Sequence, residues 1–298
     1  MSYRNKLLQR IQDNENKTLS DDQLLEFSRE FIKELKSKKS FKLYRYVPFN
    51  YNNMRSIETS YVYLSEIGKM NDVFEGLTLS DPTGKIDFKD LHDLLYLKSF
   101  SEDKDNLLMW SHYADNHKGM CIEYDLVKIL NQVYENKVDS GILYHLFPVV
   151  YLENRVDDKE AVSNLKYAAK SIGEYKYDLN NNNCHADTEW HEDIKSMFLI
   201  KSKNWEYEKE WRIAVTFTQI NEDSKYIDKD KADLYQINNQ NIFFDCITSI
   251  YCGANLGKDK VKHVEEIVTR LNNNRSDKIY TYECKLDSSE YKLTYELK

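Results

Sequence analysis

At 298 residues with 41% apolar side chains, the chain is long enough to bury a sizeable core. A net charge of −8 excludes whole-molecule attraction to nucleic acid and leaves room only for a local basic groove. The five cysteines are scattered, odd in number and without CxxC spacing, and no apolar run nears the roughly 18 residues that cross a bilayer. These features predict a soluble cytoplasmic protein with reduced thiols and no membrane partner. Tyrosine is abundant, at 23 residues, which codon bias explains more readily than a wet, phenol-lined pocket does.

Residues 1–39 read as a helical extension. Ser20 and Gln23 have capping-box spacing, and Leu24, Phe27, Phe31 and Leu35 then recur at intervals of three and four. That stripe, over residues 20–38, packs on the body or on a helical partner. The body, residues 40–298, opens with a strand over Phe41–Val47 stopped by Pro48. A helical turn follows over Asn50–Ile57, then a second strand over Ser60–Ser65, rich in β-formers. Asp87–Leu97 reads as a helix, Lys98–Ser101 as a strand, and Asn106–Asn116 as a helix ended by Gly119. Strands are expected at Met120–Tyr124 and Val149–Leu152. The polar stretch of about 156–200, interrupted by Asn180–Asn183, reads as a helical insertion that could not bury a core alone.

Strands return at Glu210–Phe217 and Ile247–Cys252. A helix over Lys258–Leu271 turns Val261, Val264, Ile267, Val268 and Leu271 inward, and the carboxyl end alternates as a hairpin. The fold class is therefore α+β: a mixed or antiparallel sheet core with surrounding helices, an amino-terminal helical extension and a helical insertion.

The densest chemistry lies in Lys201-Ser-Lys-Asn-Trp-Glu-Tyr-Glu-Lys-Glu-Trp-Arg212. In an extended backbone Glu206, Glu208 and Glu210 would share a face, an arrangement that repulsion disfavours. Glu208 or Glu210 could polarise a sugar hydroxyl, stabilise an oxocarbenium-like centre or act as a general base. The plain structural reading is a solvated edge strand whose glutamates pair with Lys201, Lys203, Lys209 and Arg212. A second block, Met109-Trp-Ser-His-Tyr113, could line a ligand pocket through Trp110, His112 and Tyr113, or pack Met109, Trp110 and Tyr113 into the core. His112 and His117 are five apart, which fits no shared helical face, so no metal site is expected. Asn71-Asp72 reads as a turn cap, and Gly253-Ala-Asn-Leu-Gly257 as a strand-to-helix turn lacking a phosphate-loop pattern.

Taken with Leu43–Tyr46, Tyr63–Ser65, Asn71–Glu75, Phe100-Ser101, Gly119–Asp125 and Ile250–Gly253, these two blocks resemble an uncharacterised bacterial family, domain-of-unknown-function family 2971. The resemblance runs from about residue 41 to 260. Val73 departs from it, standing where the family usually carries proline. The family supplies no established activity.

The order of residues is also similar to that of mono-ADP-ribosyltransferases, which carry an early Arg or His, then a Ser or Tyr, then a late Glu. The similarity implies that Arg45 would hold the pyrophosphate or ribose of NAD, that Tyr63 or another aromatic would stack the nicotinamide, and that Ser65 is the serine of the second strand. Glu210 or Glu208 would meet the ribose 2′-hydroxyl. Trp110 and His112 are secondary pocket residues in that reading. The activity it implies is that of an ADP-ribosyltransferase or NAD glycohydrolase, acting as a bacterial toxin or phage-defence effector on a protein or nucleic-acid acceptor. The alternative is a non-enzymatic ligand-sensing or protein-interaction module with salt-bridged glutamates and core tryptophans. A third reading, a metal-dependent hydrolase using His112 with the glutamates, has little support from the spacing.

Overall fold

Alternating β-formers give the chain its strands, and their pairing gives it a cleft. The computed structural model describes residues 3–13, 30, 33–34, 41–59, 65–66, 70–75, 95–128, 142–156, 199–217 and 246–298. The insertion between 157 and 198, the apolar positions of the 20–38 stripe and Tyr63 lie outside the described residues.

The helices are α1 (Tyr3–Asp13), α2 (Tyr51–Thr59), α3 (Leu107–Tyr113) and α4 (Lys258–Asn272). The strands run β1 (Lys42–Val47), β2 (Ser65–Glu66), β3 (Leu95–Ser101), β4 (Met120–Asp125), β5 (Ile142–Pro148) and β6 (Val150–Leu152). They continue with β7 (Ile200–Ser202), β8 (Glu210–Phe217), β9 (Ile247–Cys252), β10 (Tyr280–Leu286) and β11 (Leu293–Leu297). One sheet takes the order β11-β10-β9-β4-β1-β3-β8-β5, with β2 beside β3; β6 and β7 form a separate parallel pair. The large sheet is antiparallel except where β10 lies parallel to β9, the connection between them being α4. This is the mixed-sheet α+β class read from the sequence.

Two local expectations change. Leu95–Leu97 is strand, because these residues pair with Ala214–Thr216 of β8; the helix read over Asp87–Leu97 does not extend through them. The acidic block is not an extended edge strand. Lys203–Glu208 is a 3-10 turn capped by Ser202, and Lys209 stands in the left-handed region at φ 45° before β8 begins. β8 itself is interior, paired with β3 on one side and β5 on the other.

Register fixes the faces. Tyr44 sits opposite Ser101 and Glu123, and Ser101 sits opposite Glu210. Tyr44, Tyr46, Ser99, Ser101, Glu210 and Arg212 therefore share one face of the sheet, and Arg45 projects from the other. On the first face α3 packs Met109 and Trp110 against Tyr46, Cys121 and Tyr251. On the second, Leu43, Ile122 and Ile250 are buried as well.

The cleft arises because β1 and β3 meet in register at one position only, Tyr44 opposite Ser101. By contrast, β1 and β4 stay paired over the whole of Lys42–Val47. From Ser101 back toward Leu97 the two strands diverge, and the sheet opens along its middle. The loop that returns from α3 passes close under β9. A Cβ on Gly253 would come within 2.2 Å of the His117 carbonyl oxygen, so no larger residue fits there.

Candidate functional site

The opening between β1 and β3 is a cavity of about 140 Å³. Its aromatic and thioether walls come from Tyr44, Phe100, Met109 and Tyr113, and its polar atoms from Ser65, Asn71, Lys201, Glu208 and Glu210, with Arg45 at the edge.

Three elements bring the charges together. The parallel β6–β7 pair carries Lys201 inward. The 3-10 turn and the left-handed Lys209 then reverse the chain sharply, so that Glu208 and Glu210 both reach the Lys201 ammonium, at 2.7 and 3.2 Å. Glu206 stays exposed on the outside of the same turn. From the turn over Asp72–Glu75, Glu75 meets Arg212 through both carboxylate oxygens, at 2.5 and 3.0 Å. Arg212 also holds Glu210, through Nε at 2.8 Å and a terminal nitrogen at 3.0 Å. All five side chains are buried to within a few per cent.

The backbone of Glu210 is held too. Its N–H donates to the Tyr151 hydroxyl at 2.7 Å, and its carbonyl accepts from Arg4 of α1 at 3.0 Å. Helix α3 approaches Glu208 from the other side. Asn106 caps α3 by accepting from the amides of Leu108 and Met109, and its own amide donates to the Tyr207 carbonyl at 2.7 Å. This tie between α3 and the 3-10 turn sets the Tyr113 hydroxyl against Glu208 Oε1, to which it donates. Asn71, at the exposed rim, donates to the same hydroxyl at 2.8 Å.

The two glutamates differ electrostatically. Burial acts to raise the pKa of Glu210, but the charges of Arg212 and Lys201 overcome it and hold the carboxyl at about 2. Glu208 moves the other way: burial raises its pKa, and the neighbouring Glu210 adds to the rise against the pull of Lys201. Burial also lowers Lys201, but Glu210, Glu208 and Glu75 together raise it. Tyr113 is pushed up by burial and by Glu208, so its phenol stays a donor. Across the sheet Lys98 lies well below an ordinary lysine because of burial and the nearby Arg45.

Of the residues singled out in the sequence, Arg45, Ser65, Glu208 and Glu210 surround one cleft. Arg45 reaches it from the opposite face of the sheet and donates to the Ser99 carbonyl at 2.8 Å, across the β1–β3 opening. Trp110 is not a pocket residue. It is fully buried in the core, its indole donating to the Lys104 carbonyl at 2.9 Å and its ring stacked on His117. His112 is exposed, about 6 Å from the Tyr207 ring, and does not line the cleft. Among the described residues no group of three His, Cys, Asp or Glu side chains is placed to hold a metal ion.

Sequence reasoning named Lys201 and Arg212 only as salt-bridge partners, left Glu75 in a turn, and placed Tyr113 second to its neighbours. Their signal was their position inside the two dense polar-aromatic blocks and the Asn71–Glu75 block. Arg4 and Tyr151 carried no signal, since nothing local ties them to Glu210.

Fold and site together define an α+β protein with a split sheet and an ionised, aromatic-walled cleft at the split. A model of the family described as protein of unknown function (DUF2971) matches residues 109–213, a span that takes in α3 from Met109 onward, the 3-10 turn and the first half of β8. The resemblance read from the sequence is thus supported over that span. No curated protein and no solved structure matches the chain. No helix among the described residues is long and apolar enough to cross a membrane.

Proposed function

We propose that the cleft is the active site of an enzyme that breaks the ribosyl bond of NAD, as an ADP-ribosyltransferase or an NAD glycohydrolase. The observation that carries this reading is the convergence of Arg45, Ser65, Glu208 and Glu210 on one cavity from separate stretches of chain. At about 140 Å³ the cavity suits the nicotinamide ring and the near edge of its ribose, with the remainder of the dinucleotide outside. Tyr44 and Tyr113 offer ring faces to the nicotinamide, and Ser65 and Asn71 offer hydrogen bonds to its carboxamide or to ribose hydroxyls. Positive charge develops at the ribose C1′ as its bond to nicotinamide breaks. Glu210, an anion throughout the physiological range, stabilises that charge without reorganising. Arg45 attracts the pyrophosphate from the edge of the cleft. The electrons of the broken bond leave with nicotinamide, and an acceptor group or water forms the new bond at C1′ and releases its proton to solvent. In the cell this reading makes the protein a toxin or defence effector acting on a macromolecular acceptor in the bacterial cytoplasm.

The test is NAD turnover by purified protein with cell lysate as acceptor, with Glu208→Gln and Glu210→Gln in parallel. Loss of NAD, or transfer of its label, should fall at least about 100-fold in Glu210→Gln.

A second reading, a non-enzymatic ligand-sensing module, draws on a different observation. Glu75, Glu208 and Glu210 are already engaged by Lys201, Arg212 and Tyr113, as in a self-satisfied polar core. Folded protein that turns over no NAD in lysate would favour it, and ligand-induced shifts in thermal unfolding would then identify what the cleft takes.

A further inference from the structure

Among the described residues the buried network sets two cations, Lys201 and Arg212, against three carboxylates, Glu75, Glu208 and Glu210, and that imbalance locates a proton. Lys201 serves Glu208 at 2.7 Å, Glu210 at 3.2 Å and Glu75 more distantly at 3.9 Å. Arg212 gives two hydrogen bonds to Glu75 and two to Glu210. Glu208 receives its hydrogen bonds from the shared ammonium and from a neutral phenol, Tyr113. A surplus negative charge buried among these groups is costly, and the member with the smallest share of positive charge sheds it by taking up a proton. That member is Glu208. Its carboxyl moves upward with burial, and the carboxyl of Glu210 is held at about 2.

When neighbouring carboxyls are driven apart in this way, one serves as acid and the other as permanent anion. On the reading that the cleft acts on a ribosyl bond, we propose that Glu208 donates a proton to the leaving group while Glu210 remains ionised beside the sugar. That role extends the substrate class of the cleft beyond NAD to ribosyl bonds whose leaving group departs poorly unless protonated, such as the neutral base of a nucleoside or nucleotide. A pyridinium needs no such acid, because it leaves as a neutral ring. In the hydrolytic step the bond from C1′ to the base nitrogen breaks and its electron pair stays with the base. The base takes the Glu208 proton; water bonds to C1′ and returns one proton to Glu208, giving free base and ribose.

The groups that face Glu208 fix its behaviour: Tyr113 from α3, Lys201 from β7, Tyr207 from its own turn and Glu210 from β8, with Glu75 and Arg212 behind them. Tyr113 is a positioning residue here, held in turn by Asn71.

The experiment compares inosine, whose base needs a proton to leave, with 4-nitrophenyl β-D-ribofuranoside, whose leaving group does not, and includes NAD as a third substrate. Glu208→Gln should lose inosine hydrolysis by about 100-fold or more and keep nitrophenyl riboside within about tenfold. Wild-type kcat/KM for inosine should fall as pH rises through the elevated pKa of Glu208, with no such limb for the nitrophenyl riboside. Glu208→Asp, which keeps an acid, should restore part of the inosine activity, and Glu210→Gln should impair both ribosides. Inosine turnover with NAD inert would support this assignment and retire the NAD reading. NAD turnover with inosine inert would do the reverse. Equal loss of both ribosides in Glu208→Gln would make Glu208 structural and overturn the assignment. No turnover of any substrate by folded protein would overturn both readings.

Discussion

Glu210 ties the stability of the fold to pH. Its carboxyl is held at about 2 against an ordinary value of 4.5, mainly because Arg212 and Lys201 face it in a buried site. A carboxyl with a depressed folded pKa stabilises the protein above its unfolded pKa, and that contribution is lost as pH falls through the folded value. The window therefore runs from about 4.5 down to about 2, and the contribution amounts to about 3 kcal/mol. Glu208 has the opposite sign. Its folded pKa is raised, so its contribution is full below the unfolded pKa and disappears as pH rises through the folded value. Thermal unfolding followed from pH 2 to 8 should separate the two. Glu210→Gln lowers Tm at neutral pH and makes the acid limb shallower, because the mutation removes the contribution of this buried carboxylate to that limb. Glu208→Gln leaves the acid limb in place and costs within about 1 kcal/mol at neutral pH, since the amide still accepts from Lys201. Both glutamates were legible in the sequence as candidates. Their difference was not, because it depends on which of them Arg212 grips, and no spacing rule encodes that.

At the scale of elements, α1 and the 3-10 turn decide how firmly the site is held. Leu7 and Ile11 bury fully, and this docks α1 so that Arg4 reaches the Val149 and Glu210 carbonyls and the Glu102 carboxylate at 2.8 Å. A flexible arginine anchored at both ends by backbone and carboxylate partners is worth about 1.5–3 kcal/mol. Arg4→Ala should lower the free energy of urea unfolding by that amount. Arg4→Lys should recover only part of it, because an ammonium cannot reproduce the fork that spans two carbonyls and a carboxylate. The helical character of residues 3–13 could be read from the sequence; its role behind Glu210 could not, because the contact spans more than 200 residues. The acidic block failed as a strand for a local reason. Ser202 caps a turn, and Lys209 adopts a left-handed conformation that alternation of Glu, Tyr and Lys does not announce. That reversal aims Glu208 and Glu210 at one ammonium and leaves Glu206 outside. Trp110 likewise looked like a pocket residue because it sits among polar neighbours, but α3 turns it into the core and leaves Tyr113 to meet the cleft.

Across the whole molecule, function and fold meet at the split in the sheet. Most strands were legible from β-branched and aromatic runs between turn residues, as at Glu210–Phe217 and Ile247–Cys252. Their order was not, since β3 pairs with β8 and β4 with β9 across more than 100 residues of chain. The sequence thus showed Arg45 and Glu210 as separate candidates without showing the opening that brings them together. On one side of that opening lie β1, β4, β9, β10 and β11, and on the other β3, β8 and β5. Among the described residues their backbones pair at one register position; side-chain ties include the Arg45 hydrogen bond to Ser99, the Tyr46 hydroxyl donating to the Asp103 carbonyl at 2.7 Å, and the Phe100 ring against Tyr124. A sheet joined so sparingly should open there before it opens elsewhere, because local opening follows the density of hydrogen bonds and packing. Arg45→Ala removes one hydrogen bond that bridges the split. Native-state hydrogen exchange should then speed up by about tenfold at the facing amides of β1 and β3, the equivalent of one hydrogen bond of about 1.4 kcal/mol. The amides between β4 and β9, paired from Met120 to Tyr124 and separated from the split by the fully paired β1–β4 seam, should exchange as before. Uniform acceleration across both halves would mean that the sheet opens as one unit and that Arg45 contributes to global stability instead. Acceleration confined to β1 and β3 would make the split the weakest seam of the fold. Ligand bound between the strands would then slow exchange at those same amides, because it closes the seam.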